Sequence, residues 1–423
     1  MSHLFNAFKP ELDAFSRQRI SNPFTLGDYK HLYAIDPDFL DVKVGTGATV
    51  VFDVNQAAAI LNSGITTNGY CIHQTKRYHH YQPGKSQLIF STFNYGNYQT
   101  NVTKRTGYFD DLNGIYFEQV GISTSVGTLN IVVRSYVSGI VSERRIPQYQ
   151  WNKDTLTGDG PSGFNLDITK TQLFLTDFEW LGVGRVRCGF SIDGQNIIAH
   201  EFYNSNRLPT VYMSNPNLPV RCEIRNTGSQ VGAGGSMIQI CSTVMSEGGY
   251  SEVGYDWSRT IPLRSVGIGS TQVPVFAIRL KNSYKNYPNR ATVKLRGIEV
   301  FTDSENILFE VVKLPSSVGL NTSGTSWVSE NSNSVCEWTL GASSITGSYE
   351  SFLGGYSAAS SGSGQSGKNL ATSSESQVGP SAKKNFLTQN YDSTNSEIFA
   401  VLITNLGLSA TNCGVSIQWS EIY

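Results

Sequence analysis

Short runs of alternating apolar and polar residues recur along most of the chain, most clearly between Thr171 and Tyr203 (TQLFLTDFEWLGVGRVRCGFSIDGQNIIAHEFY). In the middle of that stretch Val186, Cys188, Phe190 and Ile192 alternate with Arg187, Gly189 and Ser191. A period of two is the signature of a strand with one buried and one wet face. Asp193-Gly194 then separates two such runs by two residues, the strongest short-range hairpin signal, because both central positions of a type I′ turn need positive φ. Three strands are expected here, from Gln172 to Glu179, Gly184 to Ile192 and Gln195 to Tyr203.

The same reading, carried along the chain, predicts strands at Ala48 to Phe52, Ser86 to Phe93, Asn113 to Val120 and Thr128 to Val137. Val211 to Met213, Val220 to Arg225 and Met237 to Val244 follow. A helix is expected over Val54 to Asn62, where alanines cluster. From about Gly248 the pattern restarts, with strands at Pro274 to Lys281, Ala291 to Phe301, Ile307 to Lys313, Ser334 to Leu340, Glu397 to Thr404 and Val415 to Ile422. Trp419 is placed to lock the last of these shut. Many short strands separated by Gly, Asn and Pro turns indicate an all-β chain of two β-sandwich, jelly-roll-like domains, 46–247 and 248–423.

Two segments fall outside that pattern. In residues 1–45, Phe5, Phe8, Leu12 and Phe15 recur at spacings of three and four, the apolar stripe of a short helix. An extended, proline-interrupted strap containing Arg19 and Pro23 follows. The whole is expected to be an N-terminal arm, lying on its own domain or on a neighbouring subunit. Residues 356–381 are Ser/Gly-rich and too poor in large apolar residues to order themselves, so a long surface loop is expected.

Composition narrows the function classes. A formal charge of −1 over 423 residues argues against nucleic-acid or anionic-membrane binding. No apolar run is long enough to span a bilayer, and the opening MSHLFNAFKPELDAFSRQR lacks the apolar core of a signal peptide. The six cysteines (Cys71, Cys188, Cys222, Cys241, Cys336, Cys413) form no CxxC pair and are expected to be free thiols, with no metal or other cofactor.

Candidate chemistry is sparse. Asp110, Asp111, Asn113 and Glu118 in FDDLNGIYFE lack calcium-loop spacing. With Glu179 they offer only a nominal glycosidase pair, and a polar hairpin end explains them as well. His79-His80 point to opposite faces if on a strand and, with Lys76, Arg77, Tyr78 and Tyr81, read as a contact surface. His200 has no nucleophile context. No catalytic residue is assigned. Tyr95, Tyr98, Tyr284 and Tyr287 are expected at the surface, stacking on sugar rings or sealing a protein interface.

Several longer words carry a resemblance. YQPGKSQ (81–87), GYFDDLNGIYFE (107–118), the run 154–167 ending in DGPSGFNLD, EWLGVGRVRCGFSIDG (179–194) and STVMSEGGY (242–250) together resemble a family of virion structural proteins of tailed bacteriophages. These occur especially in phages of aquatic bacteria and cyanobacteria. FSRQRISNPFTLGDYK (15–30) is similar to the start of that family, although Gly27 stands where an aromatic is expected and Cys188 where an aromatic or aliphatic residue is usual. The resemblance implies particle assembly without catalysis. It points to a part of the tail, baseplate or fibre that contacts other virion proteins as a trimer or ring. Assembly in the host cytoplasm and residence in the virion follow from it. The interface residues would then be Phe5, Phe8, Leu12, Phe15, Arg19, Pro23, His79 and His80. Separately, the IYFE, LNIVVRS and GRVRCGF…AHEF segments are similar to concanavalin-like lectin sandwiches. That likeness sets up the alternatives: an adhesin for host-surface glycan, contacted by Tyr95 and Tyr98, or a capsid decoration protein.

Overall fold

Asp193 and Gly194 both take positive φ, 50° and 76°, and join two strands with Ile192 opposite Gln195. The expected hairpin is present. It belongs to a computed structural model that describes residues 22–230, 234–251, 253–317, 319–321, 326–340, 342, 344–359, 371–373 and 386–423. The chain divides into two units, the described residues up to Thr75 with His79–Ser251, and Lys76–Tyr78 with the described residues beyond 252.

Among the described residues the first unit is built from strands, apart from one 3-10 turn at Gln148–Gln150. In order they are β1 (Phe24–Lys30), β2 (Phe39–Val44), β3 (Ala48–Asp53), β4 (Ala58–Ser63) and β5 (Tyr70–Thr75). Next come β6 (Ser86–Asn94), β7 (Val102–Phe109), β8 (Gly114–Gly121), β9 (Gly127–Ser135) and β10 (Ser142–Pro147). The last five are β11 (Gln172–Phe178), β12 (Val186–Ile192), β13 (Gln195–Phe202), β14 (Val220–Asn226) and β15 (Ser236–Glu247). One antiparallel sheet runs β13-β12-β11-β6-β15-β4-β3, with β1 also on β15, and a seven-stranded sheet runs β10-β9-β8-β7-β14-β5-β2.

Alternation decides which face each strand buries. In β6 the residues Gln87, Ile89, Ser91 and Phe93 are buried and their neighbours only half so. Phe93, Phe174, Phe178 and Phe190 from the first sheet meet Tyr108, Phe117, Ile131 and Ile224 from the second. Phe117 is the hub, edge-on to Phe190 at 5.1 Å and stacked on Tyr95 at 5.6 Å. Each such ring removed from water contributes about 1.5–3 kcal/mol, and the aromatic pairs add about 0.5–1.5 kcal/mol each.

Three expectations are corrected. The expected arm does not extend to residue 45, because β1 and β2 are strands of the two sheets and Tyr29 is buried. Val54 to Asn62 is not a helix: a turn leads into β4, whose Ala58, Ala59 and Leu61 are wholly buried between strands. Tertiary burial overrides the helical preference of alanine there. Val211 to Met213 is irregular, held by Tyr212 Oη donating to Glu179 O (3.1 Å) and Trp180 Nε1 donating to Met213 O (3.0 Å). Gly27, where an aromatic was expected, packs under Tyr29 and His79, and a Cβ there would collide with both rings.

The second unit is also a sandwich. Tyr255–Thr260, Thr411–Ile422, Thr292–Thr302 and Ala371–Ser373 form one sheet, with Arg264–Val266 and Phe386–Leu387 alongside. The facing sheet runs Val328–Ser329, Cys336–Thr339, Val273–Leu280, Ile398–Asn405, Ile307–Leu314 and Glu350–Ser357. Trp419 does fill the core, 1% exposed, with Leu295, Ile417, Val311 and Phe399, and its Nε1 donates to Glu421 Oε1 at 3.0 Å. The ribbon of Gly319–Asn321 and Ser344–Thr346 brings Leu320 and Ile345 against Val312 and Leu402 on the far side of that facing sheet.

All six cysteines are free, five of them buried. Burial pushes the thiols of Cys71 and Cys413 up to about 11, so they serve as small apolar residues. Phe5, Phe8, Leu12, Phe15 and Arg19 lie outside the described residues, while Pro23 is exposed just before β1. Of 356–381, Tyr356 and Ser357 end a strand and Ala371–Ser373 pairs with Thr292–Thr302. Positions 360–370 and 374–381 lie outside the described residues.

Candidate functional site

The face of the seven-stranded sheet that points away from the aromatic core carries a ladder of charges. Register places Glu223, Arg105, Glu118 and Asn130 side by side across β14, β7, β8 and β9. The next rung holds Arg221, Gly107, Tyr116, Val132 and Arg145. Arg105 bridges Glu118 (2.8 Å) and Glu223 (3.0 Å), and Arg145 Nε reaches the other oxygen of Glu118 at 2.9 Å. Arg221 and Arg225 close on Glu223 at 2.5 and 3.1 Å. Glu143 accepts from Tyr116 Oη (2.7 Å) and Arg134 Nε (2.9 Å).

Burial works to raise the Glu223 carboxyl, and Arg221, Arg105 and Arg225 more than offset it, holding it well below the usual range. Glu143 is likewise held down at about 2, burial being outweighed by Tyr116 and Arg134. A glycosidase needs one carboxyl kept protonated as acid; Glu223 and Glu143 are held ionised instead, while burial raises the Asp110 carboxyl at the hairpin end. The ladder is a stabilising network.

Two other places differ. The first is a groove of about 580 Å³ in the first unit, where the edges of the two sheets part. Val133, Phe202 and Tyr212 line its apolar side, and Ser142, Arg144 and Asn204 are among its polar groups. Arg144 sits opposite Val133 on β10, so it points toward the other sheet, and its guanidinium lies 5.1 Å from the Phe202 ring centre. It has no carboxylate within ion-pair distance among the described residues. Next to Phe202, His200 is 5% exposed and its Nε2 has no hydrogen-bond partner, while Nδ1 accepts from Asn152 N at 3.2 Å. Burial, and then the Arg144 charge, bring its pKa down to about 4.

The second place is a tyrosine cluster in the second unit. The Tyr255 and Tyr423 rings stack at 5.4 Å and Tyr284 meets Tyr423 edge-on at 5.5 Å. Tyr284 and Tyr423 both donate their hydroxyls to Asn333 O, at 3.1 and 3.3 Å. Lys285 and Asn286, with φ 49° and 68°, make a tight hairpin turn that sets Tyr287 opposite Tyr284. Tyr255 is 62% exposed and Tyr287 68%. Tyr284 and Tyr423 are tethered at their hydroxyls, while Tyr255, stacked on Tyr423, and Tyr287 leave much of their rings open to water, an arrangement suited to stacking.

The residues expected from sequence fare unevenly. Tyr95 is not a surface residue: it is 1% exposed and its hydroxyl donates to Phe117 O at 2.9 Å. Tyr98 is half-buried, packed on the same core and against Gly127. Tyr95 is thereby removed as a glycan contact, because the turn after β6 folds it inward. His79 is buried, bonded to Tyr29 Oη (2.7 Å) and Leu218 O (3.1 Å), and so is part of the interior rather than a contact surface. His80 is half-buried. Asp110 Oδ1 accepts from the Leu112 and Asn113 amides, both 2.8 Å, as a polar hairpin end does. Asp111 pairs with Arg221 at 2.9 Å, and Glu179 accepts from Arg185 N at 3.3 Å. Tyr284 and Tyr287 do reach the surface. Tyr255, Tyr423 and Arg144 were missed; strand pairing, invisible in a local pattern, brings the first two together. Among the described residues no three metal-ligating side chains converge and no helix is long and apolar enough to cross a membrane.

No family model and no curated protein matches the chain. Among solved structures it is similar to the carbohydrate recognition domain of Emp47p, with 10% identity, 52% of this chain, 93% of that one and a TM-score of 0.33. It is also similar to the CBM2 module of the evolved Dit of Lactobacillus casei BL23 phage J-1, with 9% identity, 55% and 100% of the two chains and a TM-score of 0.35. A Bacillus licheniformis beta-glucanase gives 11% identity, 54% and 99% coverage and a TM-score of 0.29. Likenesses this slight carry no functional argument, and the reading below rests on this chain's own side chains.

Proposed function

We propose that the chain is a non-catalytic glycan-binding β-sandwich protein, and that its setting is the particle of a tailed bacteriophage. The tyrosine cluster carries the first half. An open ring, Tyr255, stacks on Tyr423, a second, Tyr287, stands opposite Tyr284 in the hairpin, and the Tyr284 and Tyr423 hydroxyls are anchored to Asn333. A pyranose presents an apolar face of C–H groups and an equatorial fringe of hydroxyls. Rigid, partly wet aromatic faces match the first, and carbonyls and hydroxyls at their margin match the second. The non-catalytic reading is supported by the ladder, where Glu118, Glu143 and Glu223 are each bound by arginine. Intact protein on a glycan array tests the binding: retention of pyranose glycans that falls at least tenfold in Tyr255→Ala is expected, without release of reducing sugar.

The virion setting rests on the sequence words of 15–30, 81–87, 107–118, 154–167, 179–194 and 242–250. There the protein would be a structural part of the tail, baseplate or fibre, held by multivalent contacts with other virion proteins and with its own copies. Gold-labelled antibody on intact particles tests this, and label at the tail is the expected outcome. Label spread over the head would make it a decoration protein.

A further inference from the structure

We infer that the groove between the sheet edges of the first unit is a second, separate binding site, selective for a sugar that carries a carboxylate. This rests on the glycan-binding reading but on none of its tyrosines. Three observations carry it. The groove, at about 580 Å³, has the volume and mixed lining of a small-ligand site. Arg144 stands in it without a carboxylate partner among the described residues, although Arg145, the next residue, holds both Glu118 and Glu143. The Arg144 guanidinium lies 5.1 Å from the Phe202 ring centre, and its planar fork of donors is what a bidentate carboxylate accepts from.

The third observation is His200. Its Nε2 is buried without a partner beside Phe202, and the Arg144 charge is among the causes that keep it neutral. The charged groups that bear on it are Arg144 from β10 and Glu201 next to it on β13, with the Asn152 amide at Nδ1. An anion seated on Arg144 would offset that charge. The ring of a uronic acid has the shape the groove needs, with an apolar face for Val133 and Tyr212, hydroxyls for Ser142 and Asn204, and a carboxylate for Arg144.

The test uses the full chain and digalacturonate, with its methyl ester as a neutral isostere. Calorimetry should show digalacturonate bound at least tenfold more tightly than the ester. Arg144→Ala should lose that preference, Arg144→Lys should keep part of it, and Tyr255→Ala should leave it intact. In the wild type, NMR should show the His200 pKa rising when the ligand is present. Arg144 is exposed, so an unchanged melting temperature is expected and checks the fold. Equal affinity for acid and ester, or an Arg144→Ala variant that binds as the wild type does, overturns the inference. Failure of the tyrosine platform would appear separately, as array binding unaffected by Tyr255→Ala while the Arg144 effect persists.

Discussion

Arg144 and Arg145 are neighbours on one edge strand and meet opposite surroundings. Arg145 points to the ladder, where it reaches both Glu118 and Glu143. Arg144 points to the groove, where Phe202 lies beside it and no acid among the described residues answers it. The ladder is rich in charge and closed; the groove and the tyrosine cluster are poorer in charge and open. Abundance of ionisable groups therefore says little about where ligands bind. What distinguishes a site is interaction capacity left unused inside a shaped, partly dry surface.

The contrast can be broken most forcefully at the ladder. Glu223→Ala would take from Arg105, Arg221 and Arg225 the buried carboxylate they share, leaving Arg105 to Glu118 and Arg221 to Asp111, and removing one partner of such a network costs about 3–5 kcal/mol. Urea unfolding should register that loss. A change below 1 kcal/mol would mean that the ladder is ornamental.

Acid comes next. His200 is held neutral in the folded chain down to about pH 4, against 6.5 when unfolded. The unfolded state therefore binds the extra proton first, and stability falls as pH drops through 6.5 and levels off below 4, by up to about 3 kcal/mol. Glu143, depressed from 4.5 to about 2, adds a second loss as pH falls from 4.5 toward 2. Melting curves between pH 7 and 3 should show both limbs, and His200→Phe should remove the first alone.

Smaller effects sharpen the comparison. Tyr255→Ala should weaken glycan binding about tenfold, or roughly 1.4 kcal/mol, with stability unaltered. Arg144→Ala should shift stability by less than about 0.5 kcal/mol, as exposed positions without partners do. A larger destabilisation would mark Arg144 as part of the scaffold.

Much of the scaffold was legible in the chain. Asp193-Gly194 specified its hairpin because positive φ at two successive positions is a local demand. The alternations around Val186 and Val415 specified which faces are buried. The failures share a cause. Ala58 and Ala59 are buried between strands, so no alternation marked β4. β1 and β2 looked like strap because Pro23 and Pro37 interrupt the surrounding sequence. Tyr95 sits among Asn and Gly residues that suggest a loop tip, yet its hydroxyl finds Phe117 O within the core. Tyr284 and Tyr287 were readable from the tight turn between them. Tyr255 and Tyr423 were not, because they meet only when an edge strand pairs with the last strand.

The most direct test of the glycan-binding account is an array measurement on the intact chain beside the Tyr255→Ala, Tyr287→Ala double variant. The account predicts retention of pyranose glycans by the wild type and a loss of at least tenfold in the variant, with both melting alike. No glycan retained by the wild type, or equal retention by the two proteins, would contradict it.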